Sequence, residues 1–289
     1  MRHVLVWWFV IAAWMSHARR SGVRVAYRYR YATSSTALRD VSGGSTLERL
    51  TTTTYKKLTE ADAAQTAQVL AGAFSIQEPH SWARALGMPQ FLDAAHLADD
   101  YVPRRLVSAE LGGFGAFIES KMVGALILER HSCPGSWNDD FHPVFLGSNS
   151  VFTSYAENSM HALVHRCEAV FHAEFLRRQR GERTAGDALF YSDESRVAFV
   201  AWLATDRDAR GHGVASALVA EAAGHAQRTG HTHALAFASN PSSARTFAKA
   251  GFDKWGEVVY RDFVFAGDAP FRTLPDALEV FVKNLEQQP

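Results

Sequence analysis

Residues 197–215 read VAFVAWLATDRDARGHGVA, in which a nine-residue, mostly apolar run ends at Thr205 and two glycines, Gly211 and Gly213, lie just beyond it. The run is too short for a typical helix and is rich in strand-forming residues, which predicts a buried central strand over Val197–Thr205. Apolar residues then recur at i+4 from Val214, which predicts an amphipathic helix that stops at Gly230. The predicted order is strand, glycine-rich turn, helix.

This order favours anion binding at the turn. The first amides of a helix have no intrahelical partner, and the helix dipole places a positive partial charge there. Glycines let an anion approach the backbone closely, as in known phosphate sites. Arg210, Gly213 and Ala215 are therefore predicted to form a cradle for a pyrophosphate, although glycine before a helix is also ordinary turn chemistry.

Downstream of the turn, the pattern continues as a second strand-helix unit. His233–Ser239 is predicted to be another buried strand, with Asn240 as the N-cap and Pro241 in the first turn of a short helix over Ser242–Ala250. Gly251 and Phe252 close that helix. A last strand is predicted over Val258–Phe265.

Upstream of residue 197, strands and helices are also interleaved. The sequence predicts a strand at Thr53–Leu58, followed by a helix from a Thr59/Asp62 capping box to about Phe74. A second helix is predicted near Ser81–Ala98, ended by Tyr101-Val102-Pro103. A hairpin of Phe114–Ile118 with Met122–Leu128 and a long helix over Glu157–Arg180 are predicted to follow. An irregular, aromatic-rich insertion is predicted near 131–155.

The stretch Ala204–Ala215 resembles the acetyl-CoA motif of the GNAT N-acetyltransferase superfamily. The family pattern R/Q-x-x-G-x-G/A is matched at Arg210, Gly213 and Ala215, and Asn240 and the Gly251-Phe252 pair match positions of the next unit. The resemblance is firm over about 197–265 and extends to about residue 53. It implies an α/β (α+β) fold whose mixed, mostly antiparallel central sheet has about six to seven strands, is flanked by helices and is splayed between two parallel central strands.

The resemblance also implies how the co-substrate binds. Acetyl-CoA would lie between the strands at 197–205 and 233–239, without a metal ion, and an acetyl group would pass directly to an amine. The residues implied to contact acetyl-CoA are Leu203, Ala204 and Thr205 along the pantetheine arm, Arg210, Gly211, His212, Gly213, Val214 and Ala215 at the pyrophosphate, and Asn240 and Phe247 from the next helix. The amine is not identified by the sequence.

The chain departs from the family at the catalytic positions. Where the family often has a tyrosine acid, four residues before the Gly-Phe pair, this chain has Phe247, which has no proton to donate. The strand Val197–Thr205 also contains no Glu, Asp or His that would act as a base. The remaining candidate catalytic residues are Glu129, at the end of a hairpin strand, and Tyr260, on the predicted last strand.

Two alternatives follow from these departures. The absence of the tyrosine leaves open a non-catalytic protein that binds acyl-CoA. A more remote alternative treats 211–216 as a degraded G-x-G-x-x-G fingerprint of a dinucleotide-binding oxidoreductase, but about five residues separate the strand from the first glycine, where that fingerprint requires none.

Composition narrows the class of protein. The chain has 289 residues, 47% of them hydrophobic, and 30 basic against 30 acidic side chains. Seven of the arginines and no acidic residue lie within residues 1–39, so the rest carries 23 basic and 30 acidic side chains. This acidic excess disfavours nucleic-acid binding. The two cysteines, Cys133 and Cys167, exclude a disulfide framework and a four-cysteine zinc site.

The first 50 residues are predicted to be a leader or a flexible extension, and residues 51–289 the catalytic domain. The apolar run Val4–Met15 has twelve residues, fewer than the ~20 that cross a bilayer as a helix. Its surroundings are compatible with a signal peptide, a transit peptide or an inert extension. The use of acetyl-CoA favours an intracellular site, cytoplasmic or organellar.

Four polar residues of the long helix fall on one stripe: His161, His165, Glu168 and His172. This spacing lacks the HExxH arrangement of zinc proteases. A solvated or half-buried helix face is favoured over a metal site.

Overall fold

The computed structural model describes residues 53–75, 82–87, 94–108, 110–131, 151–182 and 196–286. The predicted leader or extension at 1–50, and most of the predicted insertion at 131–155, lie outside these residues. Among the described residues, no helix combines the length and the apolar composition that a membrane crossing requires.

The strands form a single sheet. They are β1 (Thr54–Lys57), β2 (Gly112–Ile118), β3 (Lys121–Arg130), β4 (Val197–Thr205), β5 (His233–Ala238), β6 (Asp253–Val259) and β7 (Ala277–Asn284), in the spatial order β1-β2-β3-β4-β5-β7-β6. All neighbours are antiparallel except β4 and β5, which are parallel. The predicted mixed, mostly antiparallel sheet is confirmed.

Helices cover both faces of the sheet. They are α1 (Ala63–Ala73), α2 (Trp82–Ala85), α3 (Ala94–His96), α4 (Val102–Leu106), α5 (Val151–Glu182), α6 (Val214–Arg228) and α7 (Pro241–Lys249). One buried apolar cluster lies beneath α1 to α5, which we call the α1/α5 face. The other lies beneath α6 and α7, which we call the α6/α7 face.

Local sequence signals set several boundaries as predicted. The backbone amide and the hydroxyl of Thr59 both donate to the Asp62 carboxylate, at 2.9 and 3.0 Å, before α1 begins. The Asn240 side chain accepts from the amides of Ser242 and Ser243, both at 3.0 Å, and so caps α7. These contacts satisfy amides that have no partner within their helices.

As one continuous helix, the predicted element near Ser81–Ala98 is wrong, and residues 88–93 lie outside the described part of the chain. Gly87 ends α2 with a φ of +65°, a left-handed conformation that glycine adopts without strain. Helical turns then run from Ala94 through a π-helical turn, Leu97–Tyr101, into α4. Pro103 does not end this segment, because it lies in the first turn of α4, where an N–H is not needed.

The predicted last strand over Val258–Phe265 is also wrong. The strand β6 ends at Val259, and the chain turns through a short 3-10 helix over Tyr260–Asp262. The Phe263 amide donates to the Tyr260 carbonyl at 3.3 Å, which closes this turn. The strand β7, which the sequence analysis did not predict, inserts between β5 and β6.

Candidate functional site

The two parallel strands separate halfway along β4. Residues Val197–Val200 pair with His233–Ala236, and no β4–β5 pair follows within the described strands. On its other edge β4 continues to pair with β3, but Ala201 is an extra residue between Val200 and Trp202. Such a bulge bends and twists a strand. The bulge therefore lies where β4 leaves β5 and opens a cleft between them.

The β5-facing edge of β4 beyond the bulge is consequently outside the ladder. It comprises the backbone of 201–205, which includes the predicted Leu203, Ala204 and Thr205. The hydroxyl oxygen of Thr205 is buried and has no hydrogen-bond partner among the described residues. Buried polar groups normally have partners, so this end of β4 suits a ligand that hydrogen-bonds along the strand.

The turn after β4 is held by short-range contacts. The Asp206 amide donates to the Val123 carbonyl at 2.8 Å, and Lys121 makes an ion pair with the Asp206 carboxylate at 3.0 Å. Burial acts to raise the pKa of Asp206, but the Lys121 ammonium and the Asp208 amide outweigh it and lower that pKa. Arg210 donates from Nε to the Thr205 carbonyl at 3.2 Å. The exposed Arg210 side chain is thus held over the end of β4.

Gly211 and Gly213 give this turn its shape. Both have a φ of +81°, and a Cβ built on either one would have no atom within 4 Å. Gly213 is the N-cap of α6, and Val214 is buried directly after it. The exposed Arg210, Gly211, His212 and Gly213 therefore surround open space in front of the first amides of α6, with Ala215 half-buried behind them. This is the geometry that an anion needs at a helix amino terminus.

Asn240 and Phe247 make structural contacts. The Asn240 side chain caps α7, as described above. Phe247 is 2% exposed, with ring centroids 5.4 Å from Phe252 and 6.1 Å from Phe281. It belongs to the α6/α7 face, and it presents no proton donor.

Glu129 lies in a polar network on the α1/α5 face. Its Oε1 makes an ion pair with Arg105 Nε at 2.9 Å and accepts a hydrogen bond from the Tyr101 hydroxyl. Tyr101 in turn accepts from the indole N–H of Trp202 at 2.9 Å. Burial, followed by the Glu129 charge, raises the pKa of Tyr101 well above its usual range. Sequence analysis missed Tyr101, Arg105 and the side chain of Trp202, since no local pattern joins residues so distant in the chain.

Tyr260 lies near the end of β5, in a separate network. Its hydroxyl donates to the Ser239 carbonyl at 2.9 Å and accepts from the Trp82 indole at 3.1 Å. The side chain is fully buried, and burial raises its pKa. The two candidate catalytic residues thus lie on the same face of the sheet, and each has its own hydrogen-bond partners.

Two histidines of α5, His165 and His172, each contact a neighbouring side chain. His165 Nδ1 lies 2.9 Å from Glu168 Oε2, and His172 stacks on His131 with the ring centroids 5.6 Å apart. Within the described part of the chain, no group of three or more His, Cys, Asp or Glu side chains is arranged to hold a metal ion.

The comparisons with known proteins agree with this architecture. Residues 137–252 match the model of the acetyltransferase (GNAT) family. A mutant of agmatine N-acetyltransferase in its apo form is similar in structure, with a TM-score of 0.58, 18% identity, and coverage of 80% of this chain and 99% of that chain. No curated protein sequence matches the chain.

Two insect enzymes have the same fold. Arylalkylamine N-acetyltransferase 2 from Aedes aegypti gives a TM-score of 0.53 at 16% identity, over 81% of this chain and 100% of that chain. Drosophila melanogaster polyamine N-acetyltransferase, which forms N-acetylagmatine, gives a TM-score of 0.51 at 16% identity, over 80% of this chain and 99% of that chain. The family model thus covers the turn at Arg210–Ala215, and the described sheet has the fold of these enzymes.

Proposed function

We propose that this chain is an N-acetyltransferase that uses acetyl-CoA and transfers the acetyl group directly to an amine. The observation that carries the proposal is the cradle at Arg210–Ala215, which lies at the open end of the β4–β5 cleft. Gly211 and Gly213 leave the space in front of α6 free, and Arg210 adds a positive charge beside it. A pyrophosphate group fits this combination of amides, helix dipole and guanidinium.

The unpaired half of β4 would hold the rest of the co-substrate. Leu203, Ala204 and Thr205 lie beyond the last β4–β5 pair, and the backbone groups of this segment on its β5-facing edge would hydrogen-bond an extended arm that carries amide groups. The orphaned Thr205 hydroxyl supports this assignment. Acetyl-CoA, when bound, supplies an activated acyl thioester.

Transfer requires a proton acceptor, because only an unprotonated amine attacks a thioester carbonyl. The new C–N bond forms as the C–S bond breaks, and the ammonium proton must leave. We assign its acceptance to Glu129, since the contacts that Tyr101 and Arg105 make with it both engage Oε1, and Oε2 has no hydrogen-bond donor among the described residues. Tyr260 is the less suitable of the two candidates, because its proton is already donated to Ser239. The leaving thiolate would take a proton from solvent.

The acceptor is proposed to be a small amine. The structural neighbours named above act on agmatine or arylalkylamines, which supports this class.

Calorimetric titration of the full chain with acetyl-CoA tests the cradle. Arg210→Glu reverses a charge beside the proposed pyrophosphate, and we expect affinity to fall by about 10- to 100-fold, the range of a lost charge-assisted hydrogen bond. Arg207→Glu is the matched control, because Arg207 is also exposed and lies three residues earlier. Wild-type protein that does not bind acetyl-CoA, or equal losses in both variants, would refute the cradle.

A second candidate function is acyl-CoA binding without catalysis. The observation that favours it is that Phe247, a buried ring with no proton to donate, occupies the position at which the family often has a tyrosine acid. Release of free thiol from acetyl-CoA, measured with a panel of primary alkyl and arylalkyl amines, distinguishes the two. Binding with no amine-dependent thiol release would support the non-catalytic alternative.

A further inference from the structure

A line of polar side chains crosses the α1/α5 face and connects three elements. Trp202 Nε1 on β4 donates to the Tyr101 hydroxyl oxygen at 2.9 Å. Tyr101, in the π-helical turn, donates to Glu129 Oε1 on β3. Trp202 is 5% exposed and Tyr101 is 1% exposed, so both lie in the core. We call these three residues the Trp-Tyr-Glu relay.

The chemistry of the side chains fixes the direction of these hydrogen bonds. An indole N–H can only donate, and a phenol has one proton. With the oxygen of Tyr101 accepting from Trp202, its proton goes to the carboxylate. The raised pKa of Tyr101 keeps that proton on the phenol at neutral pH. Glu129 is therefore held through Oε1 by a neutral donor and by the Arg105 guanidinium.

The relay reaches the cleft at one particular residue. Trp202 is the first residue of β4 after the bulge at Ala201, where pairing with β5 has ended. The ring of Phe74 from the end of α1 packs edge-on against the Trp202 ring, with centroids 5.1 Å apart. The freed half of β4 is thus fastened to the helices of the α1/α5 face.

Burying the polar groups of the Trp-Tyr-Glu relay costs free energy. A buried hydroxyl or carboxylate costs free energy unless it is hydrogen-bonded, and apolar side chains of similar size would pack there without that cost. Networks of this kind fix the geometry of a core, because each member has few alternative partners. What the relay fixes is the position of Glu129 relative to the acetyl-CoA cleft.

We propose that Tyr101 is a positioning residue for acetyl transfer, which holds Glu129 through Oε1 so that Oε2 accepts the proton of the amine beside Trp202. The proposal rests on the proposed function. Of the charged and titratable groups on the surrounding elements, Tyr101 and Arg105 from the helical segments contact the carboxylate, and His131, on which His172 stacks, lies two residues along β3. From β4, the residue paired with Glu129 is the apolar Phe199.

Steady-state kinetics of the full chain with acetyl-CoA and an accepted amine test the role of Tyr101. We expect Tyr101→Phe to lower kcat at least tenfold while the KM for acetyl-CoA changes less than threefold. Loss of the hydrogen bond to the carboxylate favours its protonated form, so the acidic limb of the pH–rate profile should move to higher pH. Tyr55→Phe, the same change at an exposed position on β1, should leave kcat and the profile unaltered.

Coupling between the two residues gives a second readout. Because Tyr101 acts through Glu129, Tyr101→Phe should cost nothing further in a Glu129→Gln background, whereas independent roles would give additive losses. An unshifted acidic limb in a folded Tyr101→Phe variant, or additive losses, would overturn the inference while wild-type turnover keeps the proposed function. Wild-type protein that acetylates no amine would overturn both.

If Tyr101→Phe does not fold, Glu129→Gln tests whether Glu129 is the proton acceptor that Tyr101 would hold in position. The amide keeps the length of the side chain and an oxygen that accepts from Tyr101, and we expect the acidic limb to disappear in this variant. A surviving limb would show that another group titrates, and the positioning role of Tyr101 would be refuted.

Discussion

Gly124 on β3 lies directly beneath Val214, the first residue of α6. A Cβ built on Gly124 would lie 2.9 Å from Val214 Cγ1 and 2.9 Å from Leu218 Cδ1. Gly124 also pairs with Thr205 at the end of β4. The missing side chain therefore allows the start of α6 to approach the sheet, which sets the distance between the cradle and the strand that leads to it.

Gly124→Ala should consequently lower the affinity for acetyl-CoA by more than the accompanying loss of folding stability would cause. The new methyl group must displace α6, and overpacking of this kind costs about 1–3 kcal/mol of unfolding free energy. Because the displaced residues begin α6, we expect the affinity for acetyl-CoA, measured by calorimetry, to fall at least tenfold.

Gly256→Ala is the matched control for this change. Its Cβ would lie 2.4 Å from Val170 Cγ1, a comparable clash, but between β6 and α5. This variant should lose stability and keep its affinity. Equal affinity losses in the two variants would show that general destabilisation, and not the placement of α6, is responsible.

Phe247→Tyr should not restore a missing acid. The ring is buried between Phe252 and Phe281, so an added hydroxyl would be desolvated in an apolar cluster, at a cost of about 1–3 kcal/mol. We expect a lower Tm in thermal unfolding and no gain in kcat. Phe265→Tyr, at a half-buried ring, should change Tm less. Wild-type stability together with faster turnover would mean that the ring edge reaches the thioester.

Several parts of this structure were readable in the sequence because they depend on local chemistry. Gly213 and Asn240 act at helix starts, and the apolar run Val197–Thr205 forms the predicted strand residue for residue. The bulge at Ala201 was not predicted, because it depends on register with β3. Nor was the contact of Tyr101 with Trp202, which spans 101 residues and follows no period.

The strand β7 was also not predicted, but for a different reason. Its residues form a short apolar run, with Leu278, Val280, Phe281 and Val282 all buried, which is typical of a strand that is covered on both faces. The family motif ends at about residue 265, before this strand begins, so the resemblance carries no information about it. Its insertion between β5 and β6 is a matter of topology, which hydrophobic periodicity does not encode.

Tyr260→Phe should lower the stability of the fold and change turnover little, because the Tyr260 hydroxyl has a structural role. The hydroxyl bridges Ser239 and Trp82, and its removal takes away the donor of the Ser239 carbonyl, at a cost of about 1–3 kcal/mol of unfolding free energy. We expect a lower Tm, a change in kcat below threefold and an unaltered basic limb of the pH–rate profile. A tenfold loss of kcat with loss of that limb would instead identify Tyr260 as the acid. Tyr155→Phe, at a half-buried tyrosine of α5, controls for the loss of a hydroxyl.

Acidification should weaken the fold through His131. Burial, and then the positive charge of His172 stacked against it, lowers the pKa of His131 from 6.5 to about 4. In the unfolded chain the ring takes up a proton near pH 6.5, whereas in the folded chain it resists protonation. The contribution to stability is therefore complete above about pH 6.5 and is lost as the pH falls toward 4, up to about 3 kcal/mol in all.

Urea unfolding of the wild type and of His131→Phe between pH 7.5 and 5 measures this contribution. The phenyl ring keeps the contacts with Phe171 and Phe199, and the buried Nε2 that it replaces has no hydrogen-bond partner among the described residues. We therefore expect the variant to lose less stability than the wild type on acidification. His165→Gln should behave in the opposite way, because the Glu168 carboxylate raises the pKa of His165 and that pair gains stability as the histidine becomes charged. Identical slopes in the wild type and His131→Phe would show that the pH dependence has its origin in other groups.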